Sequence, residues 1–200
     1  MHVYDGIDDK LAGWLDSQPV FFVATAPLAA DGHVNVSPKG MTGTFVVFDQ
    51  HRVGYLDYYG SGSETIAHLR ENGRITLMFA AFTGRTNIVR LYGTGRIVLT
   101  QDPEFESLRA AFPKQRVTAQ RAIVMVDLDR VSDSCGYAVP LMDFVAHREV
   151  LDLHQEKRGP EPYREYPETK NATSIDGLPA LGDLGERTRE PASGDPAARG

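Results

Sequence analysis

Short apolar runs separated by hairpin turns dominate the first 130 residues of this 200-residue chain. Residues 20–25 and 122–128 are rich in β-branched and other apolar side chains, as buried strands are. Residues 33–37 alternate polar and apolar side chains, the period of two that indicates a half-buried strand. Strands linked mainly by hairpins predict an antiparallel barrel rather than a sheet of alternating strands and helices.

The remaining segments complete a mainly β fold with flanking helices. Gly93 and Gly95 mark a bend or bulge within the longest predicted strand. The other predicted strands bring the total to six or seven and lie at residues 44–48, 52–56, 74–82 and 88–99. Helices are predicted at residues 7–17, from about 63 to 71, and at 102–112, with a possible further helix at 147–157.

Composition excludes several classes of protein. The formal net charge of −6, without a basic run, argues against a nucleic-acid partner. No apolar run reaches the length of about 18 residues that a membrane span needs. The first residues are acidic, unlike a signal peptide, and Cys135 is the only cysteine, so a cytoplasmic protein without disulfides is expected. No metal-binding spacing and no serine hydrolase elbow is present.

Residues 56–65 hold the most informative motif, the end of a strand followed by a glycine- and serine-containing turn and the start of a helix. Ser61 and Ser63 are candidate N-caps of this helix. A helix N-terminus with free N–H groups and nearby hydroxyls favours an anion, phosphate above all. An ordinary strand-to-helix turn with a capping serine explains the same residues, so the motif alone does not decide between the two.

Other candidates are weighed in the same way. Lys39, held between Pro38 and Gly40, suits a phosphate as a point charge, and Arg90 is a weaker candidate for the same role. Tyr58 and Tyr59 either stack on a ligand ring or pack in the core. The histidines at positions 33 and 68 are interpreted as surface residues, as is Arg85.

The order of these segments resembles the pyridoxamine 5′-phosphate oxidase-like family, over roughly residues 11–131. The matching motifs are the strand ending at residues 35–40, the Ser/Gly turn, the helix that ends at Asn72, the Ile-x-Leu-x-Phe pattern at residues 75–79 and the strand at 89–95. Residues 134–140 and 170–179 further resemble a bacterial branch of the family. The resemblance implies an antiparallel split β-barrel that forms a homodimer with FMN in clefts at the dimer interface.

Through this resemblance the flavin phosphate would be held by the second-strand cation and by the turn. The candidate cofactor-binding residues are Ser37, Pro38, Lys39, Gly40, Tyr58, Tyr59, Ser61, Gly62, Ser63, Thr65 and Arg90. No catalytic side chain is assigned, because the flavin itself carries the hydride and backbone N–H groups near residues 37–40 suffice as donors. The expected activity is oxidation or reduction of a small organic substrate.

Two departures from the family pattern keep alternatives open. Pyridoxamine phosphate oxidases have Arg and Lys in the turn, where this chain has Ser, Gly and Glu64. They also carry a C-terminal Trp- and Arg-containing substrate segment that has no match here, which argues against vitamin B6 oxidation. An F420-dependent reductase on the same scaffold is the first alternative. A non-catalytic flavin or haem binder is the second, with His33, His68 and His147 as axial candidates.

The C-terminal region is expected to form a separate arm. The barrel domain is predicted at residues 1–158 and the arm at 159–200, with the last fifteen or so residues disordered. Residues 171–181 are less polar than those that follow, so this segment is predicted to close over the cofactor site.

Overall fold

The structure, a computed structural model, describes residues 1–182. It contains eight strands, all antiparallel, in one sheet. The strands are β1 (Val3–Tyr4), β2 (Val20–Thr25), β3 (Asn35–Gly40), β4 (Phe45–Asp49), β5 (Arg52–Tyr58), β6 (Arg74–Ala80), β7 (Ile88–Leu99) and β8 (Gln120–Ser134). The helices are α1 (Asp9–Asp16), α2 (Glu64–Glu71), α3 (Phe105–Arg109) and α4 (Val150–Arg158), followed by a 3₁₀ helix at Glu161–Tyr163.

The sheet is a curled half-barrel, which confirms the predicted mainly β split-barrel fold with flanking helices. The strand order is β3-β2-β6-β7-β8-β5-β4, and β1 pairs with β8. The fifteen-residue β8 is central to the pairing, because it lies beside the middle strand β7 and has three partners, β1, β5 and β7. The order leaves β3 and β4 at its two ends, so an open seam separates these strands.

Aromatic side chains fill the interior behind this seam. The ring of Phe21 on β2 stacks on Phe79 of β6, with the ring centres 5.1 Å apart. Phe45 of β4 reaches across to both, at 5.5 Å from Phe21 and 5.0 Å from Phe79. Tyr55 lies against Phe21 and is fully buried. The two ends of the sheet are thus joined by core packing rather than by backbone hydrogen bonds.

The predicted irregularity of the long strand is confirmed. The register between β7 and β8 shifts between Tyr92 and Gly93. A Cβ atom at Gly93 would lie 2.1 Å from the carbonyl oxygen of Asp127, a distance that no side chain tolerates. Glycine at this position therefore lets two backbones approach where the sheet bends.

Several predicted boundaries were wrong for identifiable reasons. The strand expected at residues 33–37 lies at Asn35–Gly40, because an edge strand accommodates Pro38 without losing a ladder bond. The third helix spans only Phe105–Arg109, since the Asp102 carboxylate accepts the Leu99 N–H and closes a turn instead. The last strand, predicted at residues 122–128, spans Gln120–Ser134, because it pairs with both β7 and β1.

The rest of the predicted element order agrees with the structure. The predicted possible helix near the C-terminus is α4, and the two-residue β1 was not predicted. No helix within residues 1–182 combines the length and apolarity that a membrane crossing needs. The predicted disorder of the last fifteen residues falls outside the described residues.

Candidate functional site

A cleft of about 1410 Å³ opens beside the seam of the sheet. One wall is the end of β3 with the loop that leads to β4, and the floor is the end of β5. The opposite wall is the extended segment after β8 together with α4, at residues 142–154. The start of this segment is attached to the barrel by a hydrogen bond, in which the Met142 N–H donates to the Phe82 carbonyl at 2.9 Å. Barrel and C-terminal half therefore build the cleft together.

A cluster of three charged side chains forms the cleft floor. The Lys39 ammonium lies 3.1 Å from Oδ1 of Asp57, and Nε of Arg121 lies 2.6 Å from Oδ2 of the same carboxylate. Asp57 and Arg121 are 2% and 5% exposed, whereas the Lys39 side chain is 25% exposed and lines the cleft. One carboxylate thus serves two cations, so the cluster carries a net charge of +1.

The charge state of Asp57 follows from its partners. Burial alone would raise the pKa of this carboxyl, but Arg121 and Lys39 outweigh burial and lower the pKa to about 2. Asp57 is therefore ionised throughout the neutral range. Lys39 also lies 5.8 Å from the centre of the Tyr55 ring, which favours a cation at this place. The cluster offers an anionic ligand one positively charged group at the cleft surface.

Tyr58 and Tyr59 both line the cleft at the end of β5. Nε2 of Gln120 donates to the Tyr58 hydroxyl at 3.1 Å, which leaves the phenol proton available to another acceptor. Burial raises the pKa of Tyr58 to about 12, so the hydroxyl is protonated at neutral pH. Tyr59 is backed by Tyr163 and Tyr166, with ring centres 5.8 Å away in both cases.

None of the four predicted turn residues Ser61, Gly62, Ser63 and Thr65 lines the cleft. Ser63 is buried and donates to the Thr173 carbonyl of the C-terminal arm at 3.2 Å, and it makes no side-chain cap of α2. The buried Thr65 hydroxyl accepts from Asn35 at 3.1 Å. Ser61 and Gly62 are exposed at the tip of the turn. Whether any of these four binds phosphate stays a prediction.

A buried polar network lies behind the β3 wall. Oγ1 of Thr25 is 2.9 Å from Nδ1 of His68 and accepts from the Asn35 amide at 3.1 Å. The Ser37 hydroxyl donates to the side-chain oxygen Oδ1 of Asn35 at 2.9 Å. The interpretation of His68 as a surface residue was wrong, because α2 turns this side chain into the barrel, where it is fully buried. The network holds β2, β3 and α2 together at the rear of the site.

The structure brings some predicted site residues together and not others. The predicted residues Pro38, Lys39, Gly40, Tyr58 and Tyr59 line one cleft, together with Gly60, which was not among the candidates. Arg90 does not line it and donates to the Ser134 hydroxyl at 3.1 Å. Ser37 also lies outside the lining and belongs to the network behind the wall. Within residues 1–182, no group of three or more His, Cys, Asp and Glu side chains could hold a metal ion.

Sequence reasoning missed three buried residues around the floor: Asp57, Arg121 and Asn171. A charged residue at the start of the apolar run at 121–128 was the available signal for Arg121, because a buried guanidinium needs a partner. Asp57 stands within the motif at residues 56–65 but received no role. Asn171 carried no signal of its own, since only the fold brings the arm back to the turn.

The arm also differs from its predicted placement. None of residues 159–182 lines the cleft, so the predicted closure of the cleft by residues 171–181 is wrong for this part of the chain. Those residues pack behind the turn, and the buried Ala180 and Leu181 contact the α2 residues Ile66 and Ala67. Residues 142–154 form the wall that faces the barrel.

Comparisons with known proteins place this chain in a family. The family model for pyridoxamine 5′-phosphate oxidase matches residues 7–135, well over half of the chain. This chain belongs to the pyridoxamine 5′-phosphate oxidase family. The pyridoxamine 5′-phosphate oxidase family protein ustO of Aspergillus flavus is 37% identical over 194 residues, which cover 89% of this chain and 77% of that protein.

Solved structures agree at the level of the fold. The crystal structure of HupZ from Group A Streptococcus has a TM-score of 0.52 and 21% identity, and the match covers 64% of this chain and 94% of HupZ. A single-substitution variant of HupZ gives the same TM-score and identity, with 99% of that chain covered. The pyridoxamine 5′-phosphate oxidase family resemblance noted from the sequence is therefore confirmed.

Proposed function

We propose that this member of the pyridoxamine 5′-phosphate oxidase family binds FMN in the cleft and uses it to oxidise or reduce a small organic molecule. The observation that carries the proposal is the Lys39 ammonium, which lines the cleft and belongs to a cluster with one excess positive charge. A single phosphate group matches a single accessible cation. When bound, the flavin ring supplies the redox chemistry, while the protein supplies binding and orientation.

The residues present fit this cofactor. Lys39 and the backbone at Gly60 would meet the phosphate, since both line the same corner of the cleft. The protonated Tyr58 hydroxyl is a donor for a polar edge of the ligand. As an edge strand, β3 turns one row of backbone groups away from β2; Pro38 in that row has no N–H, so Gly40 is the residue of 37–40 that can donate one to the ring. The apolar side chains of Phe21 and Phe45 exclude water from the inner end.

The charges of the cleft favour FMN over F420. The Lys and Arg residues that line it among the described residues are Lys39 and Arg148, and the acidic ones are Asp16, Asp57 and Asp143. A cofactor with a long anionic tail needs a more basic groove than this. A haem-binding role has one point in its favour, because His147 lines the cleft, whereas His33 and His68 do not.

The second part of the proposal is a homodimer. Large apolar side chains are exposed along the segment that walls the cleft, including Leu141, Phe144, Val145 and Leu153, with Val145 93% exposed. A monomer rarely exposes so many in one stretch. We infer that a second copy covers this segment, next to the cleft.

The single, exposed Cys135 fits a reducing compartment, and we propose that the protein acts in the cytoplasm.

The deciding experiment is the visible spectrum of the purified protein, followed by release and identification of any chromophore. Released FMN supports the proposal, and a Soret band would support the haem alternative instead. A colourless protein is then titrated separately with FMN and F420. Binding of F420 without binding of FMN would transfer the function to the F420-dependent class, and binding of neither would refute the flavin role.

A matched pair of lysine variants tests the binding mode. Lys39→Met is expected to weaken FMN binding about tenfold or more, because a charge-assisted hydrogen bond is lost. Lys10→Met, at an exposed position on α1, is the control and leaves the affinity unchanged. Riboflavin, which lacks the phosphate, is expected to bind both variants equally. Equal losses of FMN and riboflavin affinity in Lys39→Met would place the phosphate elsewhere.

Turnover and assembly need their own measurements. Reduction of the bound flavin by NAD(P)H, or its reoxidation by oxygen, distinguishes an enzyme from a binder that holds the cofactor without turnover.

Sedimentation velocity tests the dimer: Val145→Glu is expected to give monomers, whereas Leu28→Glu, at an exposed loop residue, retains dimers. A wild-type protein that sediments as a monomer at all concentrations refutes the homodimer.

A further inference from the structure

Asn171 is a buried polar side chain of the C-terminal arm, and both its amide nitrogen and its carbonyl oxygen have hydrogen-bond partners. It is 0% exposed, and its amide donates to the Gly60 carbonyl at 3.1 Å. Its carbonyl oxygen accepts from Nη1 of Arg121 at 3.0 Å. A longer contact of 3.5 Å joins the amide to the Gly62 carbonyl. An arm residue is therefore inserted between the turn after β5 and a guanidinium of β8.

Arg121 extends this contact to the cleft floor. The same Nη1 atom donates to the Gly62 carbonyl at 2.9 Å, and Nε lies 2.6 Å from Oδ2 of Asp57. The other oxygen of Asp57 accepts from Lys39 at 3.1 Å. A continuous chain of hydrogen bonds thus runs from Asn171 through Arg121 and Asp57 to Lys39, which faces the cleft.

The rest of the arm holds Asn171 in place without reaching the cleft. The Glu64 carboxylate accepts the Ile175 N–H with both oxygens, at 3.1 Å each. Arg70 donates to the Ala180 carbonyl, and Leu181 is buried beside α2. Within residues 159–182, the arm therefore acts on the cleft from behind, through the hydrogen bonds of Asn171 and through the Tyr163 and Tyr166 rings that back Tyr59.

We propose that Asn171 is a positioning residue of the binding cleft, which fixes the turn and, through Arg121, the Asp57 carboxylate that aligns Lys39. This inference rests on the proposed function for the identity of the ligand. A guanidinium with one carboxylate as its sole partner can rotate about that contact, whereas three partners in different directions hold it in one orientation. Loss of Asn171 leaves Arg121 with two of its three partners, Asp57 and the Gly62 carbonyl, and leaves the Gly60 carbonyl without this donor.

The alternative is that Asn171 merely anchors the arm. The two roles differ in which ligand they affect. A positioning role acts on the Lys39 corner, and so on the phosphate of FMN, but spares riboflavin. An anchoring role changes both affinities in parallel, because a loosened arm weakens the support behind the cleft as a whole.

The test compares Asn171→Ala with Leu181→Ala, which loosens the arm at an apolar contact instead. Asn171→Ala is expected to weaken FMN binding about tenfold, since a charge-assisted contact at the anion is misaligned, while riboflavin affinity changes less than about twofold. Leu181→Ala is expected to leave the ratio of the FMN and riboflavin dissociation constants unchanged. Parallel losses for both ligands in Asn171→Ala would overturn the proposal.

A second variant changes the charge at the same position. Asn171→Asp keeps the shape and the acceptor for Arg121 but loses the amide that donates to the Gly60 carbonyl, so circular dichroism first establishes that it folds. Its extra carboxylate cancels the excess positive charge of the cluster, and FMN affinity is expected to fall at least about tenfold with riboflavin affinity retained. Unchanged FMN affinity in this variant contradicts the link from Asn171 to Lys39.

A measurement without cofactor separates this inference from the proposed function. Hydrogen–deuterium exchange of the apo protein is followed in residues 58–65 and in residues 171–181. Asn171→Ala is expected to speed exchange in the turn by about tenfold or more, whereas Leu181→Ala speeds exchange mainly in the arm. If the wild type binds no flavin, the proposed function fails and the exchange data decide this inference alone: an unchanged turn refutes it.

Discussion

His33 holds both carboxylate oxygens of Asp176. Its backbone N–H donates to Oδ2 at 2.7 Å, and its ring Nδ1 lies 2.6 Å from Oδ1. The contact joins the connection between β2 and β3 to the C-terminal arm, 143 residues away in sequence. It lies at the surface, so it fastens the outer side of the arm, while Asn171 fastens the inner side.

This contact gives the arm a pH dependence. The Asp176 carboxylate raises the pKa of His33 through its hydrogen bond and its charge, and the same bond lowers the pKa of Asp176. The histidine contribution is complete below the ordinary imidazole pKa of about 6.5 and is lost as the pH rises through the raised value. The aspartate contribution is present above the ordinary carboxyl pKa and is lost as the pH falls through the lowered value. We therefore expect the contact between His33 and Asp176 to stabilise the attachment of the arm most strongly near pH 5 to 6.

Nuclear magnetic resonance of the His33 ring protons measures this directly. Asp176→Asn is expected to lower the pKa of His33 towards about 6.5. Asp31→Asn, which removes a neighbouring carboxylate that makes no hydrogen bond to the ring, is the control and has a smaller effect. Equal shifts in the two variants would show that general negative charge, rather than this bond, raises the pKa.

The Asp57 carboxylate is expected to be the most sensitive charge in the fold. Asp57→Asn leaves the buried Arg121 without its counterion, and breaking a buried ion pair in this way costs about 3 kcal/mol or more at neutral pH. Urea unfolding followed by circular dichroism measures the loss. Asp127→Asn, in an exposed pair with Arg52, is the control and is expected to have little effect.

The cost of Asp57→Asn is also expected to depend on pH. Because the folded-state pKa of Asp57 is about 2, the ionised carboxylate contributes fully above the unfolded-state value of about 4. The contribution disappears as the pH falls towards 2, so the wild type and the variant converge in acid. A difference in free energy of unfolding that stays constant from pH 7 to pH 3 would argue against a charged Asp57.

Gly93→Ala tests the bulge between β7 and β8. The added methyl group would lie 2.1 Å from a backbone carbonyl oxygen, which cannot move away as a side chain can. Overpacking of this kind costs about 3 kcal/mol or more. Gly13→Ala, where the helical position has open space around it, is the control and is expected to be neutral or slightly stabilising. Thermal unfolding of both variants gives the comparison, and a wild-type melting temperature in Gly93→Ala would contradict the close approach.

Thr25→Val tests the polar network behind β3. Valine matches threonine in shape but removes the hydroxyl that contacts His68 and accepts from Asn35. Since the fully buried His68 ring would then lose its partner at Nδ1, we expect a loss of about 1–3 kcal/mol in the free energy of unfolding. The exposed Thr100→Val is the control. A loss no greater than that of the control would show that water replaces the hydroxyl.

Local patterns were sufficient to predict most of the elements. Residues 20–25 and 88–99 have the predicted bounds, because alternating burial makes a strand visible from its own side chains. The predicted boundaries were wrong where pairing with a neighbouring strand decides how far a strand extends. The edge position of β3 permits Pro38, and the pairing of β8 with β1 extends β8 beyond its apolar run.

The site was predictable in part for the same reason. Lys39, Tyr58 and Tyr59 lie within motifs and do meet in one cleft. Arg121 meets Asp57 across 64 residues and Asn171 across 50, separations at which no local pattern operates. The burial of His68 depends likewise on how α2 rests on the barrel.

The central position of β8 has a consequence for synthesis of the chain. On the ribosome, β5 and β7 emerge well before residues 120–134, so each waits with one long edge unpaired until the last strand arrives. Barrel closure is therefore a late event, dominated by contacts distant in sequence, which makes it intrinsically slow. Arg121 in turn obtains its Asn171 partner only when nearly the whole chain has left the exit tunnel. A nascent chain that stalls after residue 134 and before residue 171 has emerged would hold a formed sheet in which Arg121 still lacks its Asn171 partner. Chaperones would meet this species before any ligand does.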